Sequence, residues 1–295
     1  MQVAPRPFGQ LLGDSVSSVG RTWRALVPPA LAVFVPAGLA TLLIYRETGA
    51  IDVLDAILNR PGSLDVIPDA ARAEFLLPFY RATALAALVN MGAASFVYVA
   101  AHHIVAADIA GSSAPRGVLG ESLRHTVFAF SAWLVAALAT GLLFVAGLTI
   151  WLIPASLAGA NPTSTLIAGL LLPVLVGPAI WVWVSASMAT PVVALERLGI
   201  LKSLRRSARL VRGRWWPTFG YLLLVGLFGV VAVQLIQFVA IPLMALGGMG
   251  GAVDAAALVG IVAQGLIVAG IGAMTTWWYV DLRARKETLL SEDLH

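Results

Sequence analysis

No cysteine occurs anywhere in this sequence. Disulfides, thiolate metal sites and cysteine nucleophiles are therefore excluded, and the redox compartment is left open. Charge is almost as scarce: only 12% of the 295 residues are Asp, Glu, Lys or Arg, against about 25% in a soluble domain. Those four residue types are absent from the middle of every long apolar stretch, where pumps and transporters usually carry them. A phosphate-binding loop, a dinucleotide fingerprint and a Ser–His–Asp spacing are missing too. No signal peptide is recognised, because no apolar run follows Arg6 before Val27. No polar segment is long enough to form a catalytic domain, and nothing points to nucleic acid.

What is abundant is apolar sequence, at 59% of the chain. A buried core cannot absorb that much in a chain this short, because surface-to-volume scaling demands a polar exterior. Lipid can serve as the exterior. A helical span needs about 20 apolar residues, and six stretches supply them: 26–45, 81–107, 127–154, 165–195, 218–246 and 255–280. The expected fold is all-α, a polytopic membrane bundle forming one membrane domain over residues 1–295. Several stretches exceed the minimum, so tilt or kinks are expected, with Pro173, Pro178, Pro191 and Pro242 as kink sites.

Placing the N-terminus inside puts 15 of the 19 Lys and Arg residues on the inner side and 4 on the outer. The positive-inside rule then predicts a plasma-membrane protein, of bacterial type, with both termini cytoplasmic. The outer segment 46–80 is acidic, and Ile51, Leu54, Ile57 and Leu58 fall at helical spacing. One or two short helices are expected there, as a capping loop or a binding lid.

Three segments precede the odd-numbered spans in a similar way: 12–17, 119–124 and 200–205. Each opens an amphipathic stretch followed by two spans, and an acid closes each pair: Asp108, Glu196 and Asp281. The reading is three units, 8–110, 111–197 and 198–286, each a surface helix plus a transmembrane hairpin. Common amphipathic patterning could produce the same likeness. Carboxylates at helix C-termini are mildly disfavoured; pairing with Arg124, Arg205 or Arg206 would offset that, and solvation among headgroups is the alternative.

The sharpest local feature runs from Gly199 to Gly213. At about 100° per residue, Ile200, Leu201, Leu204, Ala208 and Val211 share one arc. Lys202, Arg205, Arg206, Arg209 and Arg212 occupy the adjoining one. Such a helix lies in the membrane interface, where its bases contact anionic lipid or an acidic partner, or simply enforce topology. Trp215, Trp216 and Pro217 then open the fifth span.

Polar side chains within the spans are few and neutral: Asn90, Gln234, Gln237 and Gln264. They read as packing glue between helices, or else as a substrate site. Gly260, Gly265, Gly270 and Gly272 allow close packing of the last span. His102 and His103 precede Asp108 by less than two turns and are expected at the interface; no metal site or cofactor is expected from so few ligands.

Two segments carry a resemblance: Ala194 to Leu204, running on through Arg209 to Trp216, and Tyr279 to Glu287. They resemble the glycerophosphoryl diester phosphodiesterase membrane-domain family, bacterial multi-pass proteins sometimes fused to a cytoplasmic phosphodiesterase. The entry around Leu11 to Trp23 is similar as well. The resemblance implies the membrane domain alone, since the chain ends at His295 soon after the last span and no phosphodiesterase residue has a counterpart. The functional expectation is non-enzymatic: a scaffold or anchor, or a membrane domain contacting anionic lipid, with membrane lipids and a membrane or cytoplasmic protein as partners. The alternative is a transporter or permease subunit with a cavity lined by the four amides. A third reading, a lipid-processing enzyme, needs His102, His103 and Asp108 to converge.

Overall fold

The computed structural model describes residues 4–51, 53, 69–112, 117–157, 162–246 and 251–287. Eight helices are assigned among them: α1 (Phe8–Glu47), α2 (Asp69–Ile109), α3 (Val118–Leu157), α4 (Pro162–Ala186), α5 (Ala189–Glu196), α6 (Ile200–Val211), α7 (Trp215–Leu246) and α8 (Gly251–Lys286). The described residues contain no strand. Six helical segments are long and apolar enough to cross a membrane, with α4 and α5 together supplying the fourth. The chain is thus an all-α, multi-pass membrane bundle.

Consecutive spans pack in pairs: α1 on α2, α3 on α4, and α7 on α8. The pairing is what three hairpins require. The most extensive interface, however, lies between α1 and α8, and α2 joins both. These three helices build the main core, through residues such as Leu26, Phe34, Val97, Val105, Met274 and Tyr279. A smaller cluster of Val99, Ala129, Ala132 and Val193 ties α2, α3 and α5 together.

Close approach depends on a few glycines. A Cβ on Gly147 would stand 2.6 Å from the Leu175 carbonyl oxygen across the α3–α4 hairpin. In α8, a Cβ on Gly265 would stand 2.9 Å from the Phe34 ring, and one on Gly272 would stand 3.0 Å from Ala101. Gly260 and Gly270 face open space instead, so the expected glycine packing belongs to two of the four.

The amphipathic entries differ from expectation. Only the third is a separate helix, α6. The first two run without a break into the spans that follow, as the N-terminal parts of α1 and α3. At 1.5 Å per residue, the 40 residues of α1 reach about 60 Å, twice a ~30 Å hydrocarbon core, so a long part of α1 stands outside it. The physical difference is a breaker: Gly213 takes φ 82°, a left-handed conformation that ends the helix cheaply only at glycine. The first two entries hold Gly13, Gly20 and Gly120, but none of these takes a positive φ and each stays within its helix. The second span's helix also starts earlier than expected, at Asp69; residues 52 and 54–68 of the outer segment, with Leu54, Ile57 and Leu58 of the expected short helix, and Arg116 lie outside the described residues.

The first and last described segments meet at one end of the bundle. The Arg6 amide donates to Asp281 Oδ1 at 2.8 Å, Arg285 donates to the Arg6 carbonyl, and the Arg6 guanidinium lies 4.5 Å over the Trp277 ring. Phe8 sets its edge against Tyr221 and Trp278, which stack 4.7 Å apart.

Candidate functional site

The end of the bundle where Arg6 meets Asp281 also carries α6. Gly199 is its N-cap, extended and without a side-chain cap. At the other end Lys286 donates to the Arg209 and Arg212 carbonyls, a cation where the helix dipole favours one. Against the chain, α6 buries Ser203, Ser207, Leu210 and Val211. Leu201, on the expected membrane-facing apolar arc with Ile200, Leu204, Ala208 and Val211, is 66% exposed, whereas Val211 is in the core. The expected arc is therefore split. Hydrogen bonding and ion pairs, not hydropathy, set which face packs.

Ser207 supplies the hydrogen bonds. Pro191, lacking an N–H, cannot continue the ladder from α4, and the helix breaks between Ala186 and Ala189. Ser207 Oγ donates to the Ser185 carbonyl at 2.6 Å and accepts from the Met188 amide at 3.0 Å. Two buried backbone groups freed by the break are satisfied by one side chain from α6. Pro191 was an expected kink site and lies at this break; Pro173 and Pro178 sit inside α4, and the side chain of Pro242 lies outside the described residues.

Arg206 supplies the ion pairs. It turns inward, away from the other four bases. Its Nε lies 3.1 and 3.0 Å from the two Glu196 oxygens, and its Nη2 donates to Glu287. Tyr279 donates to Glu196 at 2.7 Å; Arg283 lies 3.9 Å from Glu196 and 3.3 Å from Glu287. Burial works against the Glu287 charge, but hydrogen bonds and fields from Arg206 and then Arg283 outweigh it and hold its carboxyl below the usual carboxylate range. Burial likewise opposes charge on Arg206, and the two glutamates overcome it and raise the guanidinium.

The three closing acids are all paired. Glu196 has the expected arginine, Arg206. Asp281 instead takes Arg285 at 2.6 Å and the Arg6 amide. Asp108 takes Arg21 at 2.8 Å and the Ser18 hydroxyl at 2.8 Å, and none of the three arginines expected. Glu287, Tyr279 and Arg21 were not singled out in the sequence; charge alone could have flagged the first and last, but their distance along the chain hid their partners. Arg197, the one non-glycine residue at positive φ (52°) among those described, pairs with Glu121 at 2.9 Å.

With Arg206 tied down, Lys202, Arg205, Arg209 and Arg212 remain exposed. None has a side-chain hydrogen bond or ion pair among the described residues. Lys202, Arg205 and Arg209 line a groove with Leu198 and Ala208. Basic heads over an apolar floor suit an anionic amphiphile.

The intramembrane amides have different surroundings. Asn90 donates to Thr41 Oγ1 at 3.1 Å and to the Ala86 carbonyl, so it joins α1 to α2 as expected of packing glue. Gln234 and Gln264 are exposed, so neither is buried between helices as the packing reading expected. The Gln237 side chain lies outside the described residues. His102 is fully buried, not interfacial: it faces α8, whereas His103 faces His125 at 6.1 Å between ring centres and Asp108 faces Arg21. The three do not converge. Among the described residues no three His, Asp or Glu side chains cluster as metal ligands.

A family described as "Domain of unknown function (DUF7847)" has a model that matches residues 121–282. The match runs from the start of α3 to the end of α8 and takes in Glu196, Arg206 and the whole of α6. No curated protein and no solved structure matches the chain. Nothing in these comparisons links it to the glycerophosphoryl diester phosphodiesterase membrane-domain family that its sequence resembles.

Proposed function

Because the chain belongs to the family described as a domain of unknown function (DUF7847), a membership that brings no activity with it, we propose a role from the basic end itself. The protein is a non-enzymatic anchor that gathers anionic lipid headgroups on the outward face of α6, at the cytoplasmic leaflet of a bacterial plasma membrane. The sidedness follows from the positive-inside rule. The observation that carries the reading is a division of labour in one short helix. Arg206 and Ser207 fix α6 to the bundle, while Lys202, Arg205, Arg209 and Arg212 are left without side-chain partners among the described residues. At about 1 kcal/mol per base near an anionic leaflet, the four contribute roughly 4 kcal/mol. The exposed Leu201 adds apolar insertion. The divergence of His102, His103 and Asp108 supports the non-enzymatic reading. The transporter alternative needs amides facing a cavity, and Asn90 is instead tied to Thr41 and the Ala86 carbonyl.

The test is lipid analysis after purification in mild detergent. Replacing Lys202, Arg205, Arg209 and Arg212 by Gln, with Arg206 kept, should lower co-purified anionic lipid several-fold and leave the fold intact. Unchanged lipid content in the folded variant would sink the proposal.

A further inference from the structure

The break between α4 and α5 also frees a side chain. Thr22, Thr126, Thr218, Thr275 and Thr276 each donate to the carbonyl four residues before them, the common outlet for a helical threonine. Thr190 stands second in α5. The carbonyl four positions back, on Ala186, belongs to α4 on the other side of the break. The Thr190 hydroxyl has no partner among the described residues, yet the residue is only 4% exposed. A hydroxyl held in an apolar interior without a hydrogen bond is costly and rare in folded chains.

The space that Thr190 meets is a cavity of about 360 Å³, within the range of small-molecule sites. Tyr98, Trp133, Trp183 and Leu222 share its wall with Thr190. His102 Nε2 is sealed, whereas the Thr190 hydroxyl is open. Ser187 and Thr275, also in the wall, direct their protons to the Val184 and Ile271 carbonyls. Tyr98 brings a second hydroxyl without a partner among the described residues. What the wall lacks is therefore an acceptor.

The place of the cavity narrows what supplies it. Trp183 is 47% exposed on a membrane-spanning helix, so the cavity borders the bilayer at its side. No Asp, Glu, Lys or Arg lines it. Thr190 precedes Glu196 by six residues of α5, about 9 Å along the axis, and so lies deeper than the ion pairs. A charged headgroup at that depth would lose its water with no opposite charge to meet it. An ester carbonyl carries no charge and accepts a hydrogen bond. We propose that the cavity takes the ester carbonyl and adjoining acyl chain of a lipid from the surrounding bilayer. The Thr190 hydroxyl donates to that carbonyl, which stands in for the backbone carbonyl lost at the break. The lipid is a phospholipid with its headgroup at the level of Glu196, or an uncharged glyceride. The site is independent of the basic face of α6.

The experiment is photolabelling of the full-length protein in lipid nanodiscs, with a diazirine in one chain of each probe. One pair is a diacylglycerol and the dialkylglycerol of the same chains, which has no carbonyl. The other pair is phosphatidylcholine in diester and diether forms. Label on the peptides holding Tyr98, Trp133 and Thr190 should favour ester over ether about fivefold, the factor of one net hydrogen bond. A preference in both pairs assigns a bilayer phospholipid; a preference in the glycerol pair alone assigns an uncharged lipid. Thr190→Val keeps the shape without the hydroxyl and should remove the preference, while Thr190→Ser should keep it. The native comparison stands even where a variant misfolds. Equal labelling within both pairs in the native protein, as for a hydroxyl served by water, overturns the proposal. So does a preference that survives in folded Thr190→Val, or one that is lost in folded Thr190→Ser as well.

Discussion

Arg206→Gln offers the most direct test of how the basic end is held together. The guanidinium side chain is 18% exposed and its partners Glu196 and Glu287 are 16% and 33% exposed. Breaking one partner out of a buried pair costs about 3–5 kcal/mol, and each hydrogen bond to a charged group contributes about 1.5–3 kcal/mol. The loss is reduced by what stays behind. Tyr279 still donates to Glu196 at 2.7 Å, and Arg283 remains 3.3 Å from Glu287. Partial exposure of Glu287 lets water in as well. The expected destabilisation is about 2–4 kcal/mol. It is read from unfolding in denaturing detergent, followed by tryptophan fluorescence, since Trp277 and Trp278 lie in the same part of α8. Arg205→Gln is the control: exposed and unpartnered, it should change stability by less than about 0.5 kcal/mol. Adding Glu196→Gln to Arg206→Gln should recover part of the loss, because it removes the stranded carboxylate. If Arg206→Gln costs no more than Arg205→Gln, the inward turn of this arginine does not hold α6 in place.

Two further outcomes follow from the same end of the bundle. Ser207→Ala removes the hydroxyl that serves both the Ser185 carbonyl and the Met188 amide, and should destabilise by about 2–3 kcal/mol; Ser203→Ala, which loses a bond only to Ile200 within α6, should cost less, and equal losses in the same titration refute the mending of the break. Glu287 has a lowered folded pKa, so its contribution is complete above its ordinary value of 4.5 and is lost as pH falls through the depressed value. Thermal stability should therefore drop more steeply below about pH 4.5 in the native protein than in Glu287→Gln, and parallel curves would contradict the pairing.

The parts of this structure written in composition were legible in the sequence. Six apolar stretches of sufficient length cannot hide, and the odd-even logic of crossings brings both termini to one end. The limits of the reading are equally physical. Periodicity marks a change from amphipathic to apolar around Trp23 and around Val127, but says nothing of whether the helix breaks there; α1 and α3 run straight through, while Gly213 stops α6. Counting arcs assigned Arg206 to the outer face because it weighed side chains by hydropathy. The side chain obeys Glu196 and Glu287, of which the second is 81 residues away. Asp108 and Arg21 are 87 residues apart, and no local pattern joins them. His102 looked interfacial because it lies near the end of its span; the five residues between it and Asp108 carry it well inside the bundle.

The contact between Arg6 and Asp281 joins residues 275 positions apart, and it has a consequence for biogenesis. At ~5–20 residues per second, that separation takes roughly 14–55 s to synthesise. For most of this interval α1 is complete and α8, its most extensive neighbour, is not yet made. The surface that Gly265 presents to Phe34 does not yet exist, and the aromatic seat for Phe8 on Tyr221 and Trp278 is unmade. Insertion of α1 and its final packing are therefore separate events in time: α1 can pair early with α2 and completes its packing only when α8 arrives.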